Sequence, residues 1–248
     1  MKVSNEEIDQ LPLGQYEGEL CVVEHANDIE AAIAEMRQCA VLGFDTETRP
    51  SFTRGTVYNV ALLQLSGPNK TWLFRLCKTG LPTQLADFLA DATIKKAGLA
   101  IRDDLRGLRR LRIFEPGGFV DVQNMASRMG VEDLSLKKMA ATVLGLRVSK
   151  RQRLTNWEYQ TLTPGQITYA ATDSWISLKL YEALSAGVTE SPSLAAVRQA
   201  IANGDIAPAA HKNEEKEEMM KAKAQAQAES QTELTKEEDK ESGVNTNN

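Results

Sequence analysis

The amino-acid sequence predicts an α/β domain, in which a mixed sheet is flanked by helices. Strand-like and helix-like segments alternate along residues 18–204, and two strand-like segments lie close enough together to form a hairpin. A hairpin, followed by strands that are separated by helices, is typical of a mixed sheet with helices packed on its faces. Hydrophobic residues make up 42% of the 248 residues, which is enough for a sizeable buried core.

The chain begins with a strand, a helix and a second strand. Residues 18–26 are typical of a strand and residues 28–39 of a helix, with Asn27 or Asp28 as its N-cap. Residues 40–47 are an apolar run that ends in carboxylates, as expected of a buried central strand.

The predicted hairpin comes next. Its strands, at 57–66 and 70–76, are separated by a Gly-Pro-Asn turn signal. Beyond it we expect a helix around Leu85–Leu89, a short strand at 94–100 and a helix at Asp103–Leu111.

The last part of the domain is predicted to be helical from Val122 to Ala186. A polar and basic loop near Ser149–Asn156 interrupts it. Thr163 is placed to cap the helix that follows this loop, and Pro164 suits the first helical position.

We divide the chain into an N-terminal extension at 1–17, a folded domain at 18–204 and a tail at 205–248. The tail holds 11 acidic and 6 basic residues and no aromatic residue. It cannot bury enough apolar surface to offset its ordering entropy, so we predict that it is disordered. The rest of the chain carries 23 acidic and 23 basic residues, so the tail accounts for the net charge of −5. Residues 100–153 hold 12 Lys and Arg against 6 Asp and Glu, which is either a solvated face or a basic surface.

Composition argues against several classes of protein. The three cysteines are widely spaced and form no CxxC pair, which disfavours structural disulfides and a cysteine-ligated zinc site and favours a cytoplasmic setting. No apolar run approaches the roughly 20 residues that cross a bilayer, and the N-terminus lacks the apolar core of a secretory signal, so no membrane partner is expected. The sequence holds two histidines, which argues against a catalytic mechanism that depends on histidine.

The first residues suited to catalysis are Asp45 and Glu47, at the end of the strand at 40–47. Side chains at positions i and i+2 of a strand share a face, so two carboxylates lie side by side there. A cation between them relieves their repulsion, and hard cations such as Mg²⁺ favour oxygen ligands. The alternative is a strand that simply emerges into solvent.

Two further acidic positions follow along the chain. Asp103 and Asp104 stand where a strand ends and a helix starts, a place where an acidic residue also complements the helix dipole. Tyr169 and Asp173 are four residues apart on a late helix and therefore share a face. They either belong to a metal site or are a half-buried tyrosine beside a surface aspartate.

Taken in order, these three motifs resemble the DEDD exonuclease superfamily, in the branch whose third motif carries Tyr rather than His. Over roughly residues 18–186 the chain is similar to the ribonuclease D and Werner-syndrome-type exonuclease domains. Three further segments resemble that family in the family's order: RGTVYNVALLQLS, EDLSLKKMA and TNWEYQTLTPGQITYAATD.

The resemblance implies a ribonuclease-H-like fold and a metal-dependent 3′→5′ exonuclease that hydrolyses terminal phosphodiester bonds of DNA or RNA. Two divalent ions, Mg²⁺ or Mn²⁺, would be held by four carboxylates: Asp45, Glu47, Asp104 and Asp173. Tyr169 would orient the attacking water. Asp104 is preferred to Asp103 because the family places its acid three residues after an apolar residue, as Ile101 stands to Asp104. Two such ions, about 3.5–4 Å apart, activate water and neutralise the leaving oxygen.

The implied partner is a nucleic acid, met as a single strand or at a 3′ end. Thr46, Phe52 and Arg54 lie where the terminal nucleotide would be bound, and a base can stack on the Phe52 ring. Backbone phosphates would contact three basic residues of the polar loop: Lys150, Arg151 and Arg153. Trp157, just beyond them, is expected in the core.

Two alternatives stay open beside the exonuclease. One is a catalytically weak nucleic-acid-binding module, which would be expected to lose one of the five motif residues that are all present here. The other is a hydrolase of mononucleotides or very short oligonucleotides, which an acidic tail would suit. The choice between DNA and RNA depends on contacts to the 2′ position of the sugar, and no motif in this sequence indicates such contacts.

The chain departs from full-length ribonuclease D after the predicted domain. Ser193–Asn203 is long enough for one extra helix, which is too short for the helical accessory domains of that enzyme. Helicase motifs are absent from the sequence as well. We therefore expect substrate selection to depend on the domain, the tail or a partner protein that the sequence does not identify.

Overall fold

The computed structural model describes residues 2–149 and 151–206, together with Met220, Lys221 and Ala224. Within these residues one sheet holds six strands: β1 (Glu19–Val23), β2 (Val41–Thr48), β3 (Val60–Ser66), β4 (Lys70–Phe74), β5 (Lys95–Gly98) and β6 (Phe119–Asp121). Their order is β1-β4-β3-β2-β5-β6, with β3 antiparallel to both neighbours and the other pairs parallel. The predicted mixed sheet is confirmed.

The helices of the described residues are α1 (Asn5–Asp9), α2 (Ile29–Met36), α3 (Leu76–Thr79), α4 (Thr83–Ala90), α5 (Arg102–Leu111), α6 (Val122–Arg128), α7 (Leu136–Met139), α8 (Pro164–Ser185) and α9 (Pro192–Asn203). A π-helical turn at Ala140–Leu144 extends α7. None of these helices is both long enough and apolar enough to span a bilayer.

The helices form a layer on each face of the sheet. Helices α2, α4 and α5 share one core with Phe44 and Leu65 of the sheet. Helix α8 crosses the opposite face, where Leu62 and Leu73 pack against Ala170. Because alternate residues of a strand point to opposite faces, β2 and β3 contribute to both cores. The sheet is therefore flanked by helices on both sides, as the α/β class predicts.

The N-terminal extension packs onto the domain. Val3, Ile8 and Leu11 are buried together with Ala141 and Leu194, so α1 lies beside α9 and the π-helical turn. The predicted disorder of the tail at 205–248 lies almost entirely outside the described residues.

Two local predictions are confirmed in detail. The β3–β4 hairpin closes over the Gly-Pro-Asn turn, where the backbone N–H of Gly67 donates to the carbonyl of Lys70 at 2.8 Å. Thr163 caps α8 by accepting from the backbone of Gln166, whose side chain accepts in return from the backbone of Thr163. Pro164 occupies the first helical position, where its missing N–H costs nothing.

Three local features differ from what the sequence predicts. Asp28 occupies the N-cap position of α2, but a 3₁₀ turn at Ala26–Asp28 precedes the helix and no side chain caps it. The short strand β6 has no counterpart in the sequence prediction, because three half-buried residues are too few to show a period. The helical pattern after Val122 is also broken at residues 131–134, since Gly130, at φ +84°, ends the first helix.

Candidate active site

Strand β2 and helix α8 bring together the acidic residues of the first and third motifs. Asp45 and Glu47 lie on one face of β2, and α8 packs across that face. One carboxylate oxygen from each of Asp45, Glu47 and Asp173 lies within 4.8 Å of the other two. Glu47 and Asp173 are buried, and Asp45 is half-buried. We call these three residues and Asp104 the carboxylate cluster.

A glycine allows α8 to approach β2 so closely. A Cβ atom on Gly43 would lie 1.9 Å from the carbonyl oxygen of Ser174, the residue after Asp173. The Ser174 hydroxyl also lies 2.7 Å from that of Ser66 on β3, which ties the helix to the sheet. A side chain at position 43 would push α8 outward and separate the carboxylates. This close approach was not predicted from the sequence, although a glycine inside an apolar strand is a known signal of close backbone approach.

Asp104 reaches the same strand from α5. Thr46 Oγ1 donates a hydrogen bond of 2.5 Å to Asp104 Oδ1, a contact that the sequence did not suggest for Thr46. Asp104 is half-buried, whereas the side chain of Asp103 is 83% exposed and pairs with Arg106 on the surface. Ala100, at φ +51°, makes the turn from β5 into α5, a conformation that residues with a side chain rarely adopt. Asp104, rather than Asp103, therefore faces the end of β2.

Burial and mutual repulsion raise the pKa of the clustered carboxylates. Burial is the largest cause for Asp45, and the charges of Asp173 and Asp104 raise its pKa further. Burial is also the largest cause for Glu47, whose pKa the other three carboxylates raise and the charge of Arg153 lowers. The pKa of Asp104 is raised by burial as well. A divalent cation would stabilise such a group of like charges at neutral pH.

Tyr169 lies one helical turn before Asp173, and its phenol forms a side-chain hydrogen bond with that carboxylate. Its ring packs 6.0 Å, centroid to centroid, from the ring of Trp157. Trp157 is fully buried, which confirms that it belongs to the core. Burial first, and then the charges of Asp173 and Glu47, raise the pKa of Tyr169 far above its ordinary value. The phenol is therefore protonated at neutral pH.

Gln64 is a buried polar residue of this region that was not predicted from the sequence. It lies directly opposite Asp45 in the β2–β3 ladder and is fully buried. Neither polar atom of its amide has a hydrogen-bond partner among the described residues. Such buried groups are rare, and each requires an explanation. The available signal was a polar residue inside the apolar strand VALLQLS.

The remaining substrate-contact candidates lie on two exposed segments. Phe52 and Arg54 are exposed between β2 and β3, with Phe52 40% exposed. Arg151 and Arg153 are exposed in the loop before α8, and Lys150 lies outside the described residues. Arg153 is close enough for its charge to act on the carboxylate cluster.

Known proteins resemble this chain in sequence and in structure. A family model described as 3′-5′ exonuclease matches residues 20–188. The exonuclease 3′-5′ domain-containing protein 2 of Homo sapiens is 34% identical over 160 residues, which cover 60% of this chain and 25% of that protein. The bifunctional 3′-5′ exonuclease/ATP-dependent helicase WRN of Mus musculus is 31% identical over 186 residues, which cover 71% of this chain and 13% of that protein. This chain thus spans a quarter or less of the length of these two relatives.

Among solved structures, Escherichia coli RNase D, an exoribonuclease involved in structured RNA processing, is similar with a TM-score of 0.60. The alignment covers 74% of this chain and 49% of that one, at 22% sequence identity. At this identity the similarity is one of fold.

Proposed function

This chain belongs to the 3′-5′ exonuclease family, and we propose that it removes nucleotides one at a time from the 3′ end of a nucleic acid strand. The observation that carries the proposal is the convergence of Asp45, Glu47 and Asp173 within 4.8 Å. Thr46 holds Asp104 beside the same strand. On their own, four carboxylates would repel a phosphodiester, so the proposed activity depends on bound cations.

The residues present fit divalent cations, and we propose two ions, Mg²⁺ or Mn²⁺. Carboxylate oxygens are the ligands that such hard ions prefer. Positive charge at the centre of the cluster would offset the burial and repulsion that raise the pKa of Asp45 and Glu47. When bound, two divalent ions lower the pKa of the attacking water and stabilise the charge on the leaving oxygen. We assign the ligand positions to Asp45, Glu47, Asp104 and Asp173.

Tyr169 is assigned to positioning rather than to proton transfer. Because its pKa is raised, the phenol is protonated at neutral pH and is a poor general base. Its hydroxyl can instead orient the attacking water or the scissile phosphate, and Asp173 holds that hydroxyl in place.

The terminal nucleotide is assigned to the exposed segment after β2 and to the basic loop before α8. Phe52 offers a ring on which a base can stack regardless of sequence, and Arg54 offers a positive charge for phosphate. We assign backbone phosphates to three residues of the loop: Lys150, Arg151 and Arg153. Escherichia coli RNase D, which is similar in fold, is an exoribonuclease, so RNA is tested beside DNA.

The proposal is tested with matched DNA and RNA strands, labelled at the 5′ end and about 20 nucleotides long, which exceeds the span of most single-strand sites. In Mg²⁺ or Mn²⁺ we expect a ladder of products that shorten by one nucleotide at a time, and in EDTA intact strands. The double variant Asp45→Asn/Asp173→Asn should give no ladder. Asp87→Asn, on the exposed side of α4, is the matched control and should retain it.

Three results would contradict the proposal. Full activity in chelator, after complete removal of metal, would exclude the assigned role of the carboxylate cluster. Products cut at internal positions, or turnover confined to dinucleotides, would exclude an exonuclease that acts on strands.

A further inference from the structure

Helix α5 carries a second feature besides Asp104, an arginine face on the side away from the core. Four arginines make up this face: Arg102, Arg106, Arg109 and Arg110. Together with Leu105 and Pro116 they line an open cleft of about 510 Å³. All four arginines are exposed, whereas Leu108 of the same helix is fully buried. The helix thus turns its apolar side to the sheet and a row of guanidinium groups to solvent.

The positive charge of the arginine face is only weakly balanced. Arg106 pairs with Asp103 at 2.8 Å and Arg109 with Glu115 at 3.0 Å, and all four of these side chains are between 46% and 87% exposed. Exposed pairs of this kind contribute little to stability and are screened by salt. Arg102 and Arg110 have no acidic partner among the residues that the structure describes. The face is therefore available to an external anion.

The arginine face lies on the helix that borders the candidate active site. Asp104 is in the first turn of α5, and Gly107 packs against Val60, the residue of β3 that pairs with the last residue of β2. From Arg102 to Arg110 the helix rises about 12 Å. At the phosphate spacing of a stacked strand, about 3.4 Å along the axis, that length spans three to four phosphates. A strand that leaves the site past the first turn of α5 would meet these guanidinium groups.

We infer that the arginine face binds the phosphate backbone of the nucleic acid whose 3′ end enters the carboxylate cluster. The inference rests on the proposed exonuclease function, and it assigns strands of several nucleotides, rather than mononucleotides or dinucleotides, as the substrate class. Arginine occupies all four positions, and a guanidinium can donate two parallel hydrogen bonds to one phosphate. Phosphate contacts do not depend on base sequence, as an enzyme that shortens any strand requires.

The test compares the wild-type full chain with Arg106→Gln/Arg110→Gln and with the control Arg128→Gln/Lys179→Gln. The control removes the same two charges from α6 and α8, in the layer across the sheet. Arg106 and Lys179 each belong to an ion pair between helical residues three apart, so the two variants are closely matched. The Kd of a labelled single strand of about 20 nucleotides is measured by fluorescence anisotropy at several salt concentrations. Ca²⁺ replaces Mg²⁺, because its looser geometry favours binding over turnover.

We expect the arginine variant to bind the strand about ten-fold more weakly at moderate salt. The slope of the logarithm of the observed association constant, 1/Kd, against the logarithm of the salt concentration should become less negative by about 1.4. This change corresponds to two single-strand phosphate contacts at about 0.7 each. The control should retain the wild-type slope. An unchanged slope in the arginine variant would overturn the inference. An acidic protein would then be the alternative partner of the arginine face.

Hydrolysis by the wild type, followed in parallel in Mg²⁺, separates this inference from the proposed function. If the wild type shortens the strands but the arginine variant keeps the wild-type slope, binding of nucleic acid by the arginine face is refuted and the proposed exonuclease activity is not. An altered slope in the arginine variant, together with strands that stay intact, would support the binding surface and refute the exonuclease.

Discussion

At the scale of single residues, Tyr169 distinguishes positioning from proton transfer. Tyr169→Phe keeps the ring that packs on Trp157 but removes the hydroxyl that bonds Asp173. We expect kcat to fall roughly 10- to 1000-fold, the range for the loss of one positioning hydrogen bond, with little change in substrate affinity. The measurement is the single-turnover rate against pH.

The shape of that pH profile distinguishes positioning by Tyr169 from proton transfer by Tyr169. Because the pKa of Tyr169 is raised far above neutrality, the phenol does not titrate near pH 7, and the Phe variant should give the wild-type shape at a lower rate. Tyr181→Phe, further along α8, is the control. A fully active Tyr169→Phe protein would reduce Tyr169 to a packing residue.

Two adjacent aspartates provide a second test at this scale. Asp104 accepts a hydrogen bond from Thr46 at the end of β2, whereas Asp103 pairs with Arg106 at the surface. Asp104→Asn should therefore reduce turnover by several orders of magnitude and weaken Mn²⁺ binding, and Asp103→Asn should leave both within about two-fold of wild type, as for most exposed positions. Calorimetric Mn²⁺ titration and kcat are the measurements. The reverse result would place the second motif one residue earlier.

At the scale of elements, the contact of α8 with β2 sets the geometry of the cluster. Gly43→Ala would place a methyl group 1.9 Å from the carbonyl oxygen of Ser174, so the helix must shift. We expect a loss of about 1–3 kcal/mol in the free energy of unfolding, as for other overpacked cores. Since the shift separates Asp45 from Asp173, Mn²⁺ should also raise the Tm of the variant less than that of the wild type.

The control for this variant lies on α8, the helix that packs against Gly43. A Cβ atom on Gly165 would meet the flexible end of the Gln152 side chain at 3.1 Å, which can move aside. Alanine is also the better helix former, so Gly165→Ala should not lower stability. Equal stability and equal Mn²⁺ response of Gly43→Ala and the wild type would show that the close approach does not set the site.

At the scale of the whole molecule, Lys96 makes stability depend on pH. It is fully buried, and its Nζ donates to the carbonyl of Asp91 at 2.6 Å, just beyond the end of α4. Burial lowers the pKa of Lys96 to about 8, an effect that the charge of Asp91 opposes and that of Arg37 reinforces. The pKa of a lysine in an unfolded chain is about 10.4. Between these two values the unfolded chain binds more protons, so the free energy of unfolding rises with pH.

Replacing Lys96 should remove this rise of the unfolding free energy with pH. The difference in unfolding free energy between wild type and Lys96→Met should shift in favour of the wild type by up to about 3 kcal/mol as pH increases from about 8 to about 10.4. Lys95→Met, at the exposed neighbouring position, is the control and should show no such shift. Denaturant unfolding at several pH values measures both. Parallel stability curves for wild type and Lys96→Met would contradict the assigned pKa.

Features that depend on near neighbours in the chain could be predicted from the residues alone. The i, i+2 spacing of Asp45 and Glu47 places both on one face of a strand, and the i, i+4 spacing of Tyr169 and Asp173 does the same on a helix. The hairpin turn and the cap at Thr163 were predictable for the same reason, since each involves residues only three or four apart. Local backbone geometry suffices for all of these.

How these local features meet depends on the packing of the elements against one another. The approach of Gly43 to Ser174, the position of Gln64 opposite Asp45 and the strand β6 involve elements far apart in sequence. Asp28 holds the predicted N-cap position of α2, but a 3₁₀ turn at Ala26–Asp28 precedes the helix and no side chain caps it. Contacts of this kind depend on several elements packing at once, and the spacing of residues along one element does not encode the distance to another.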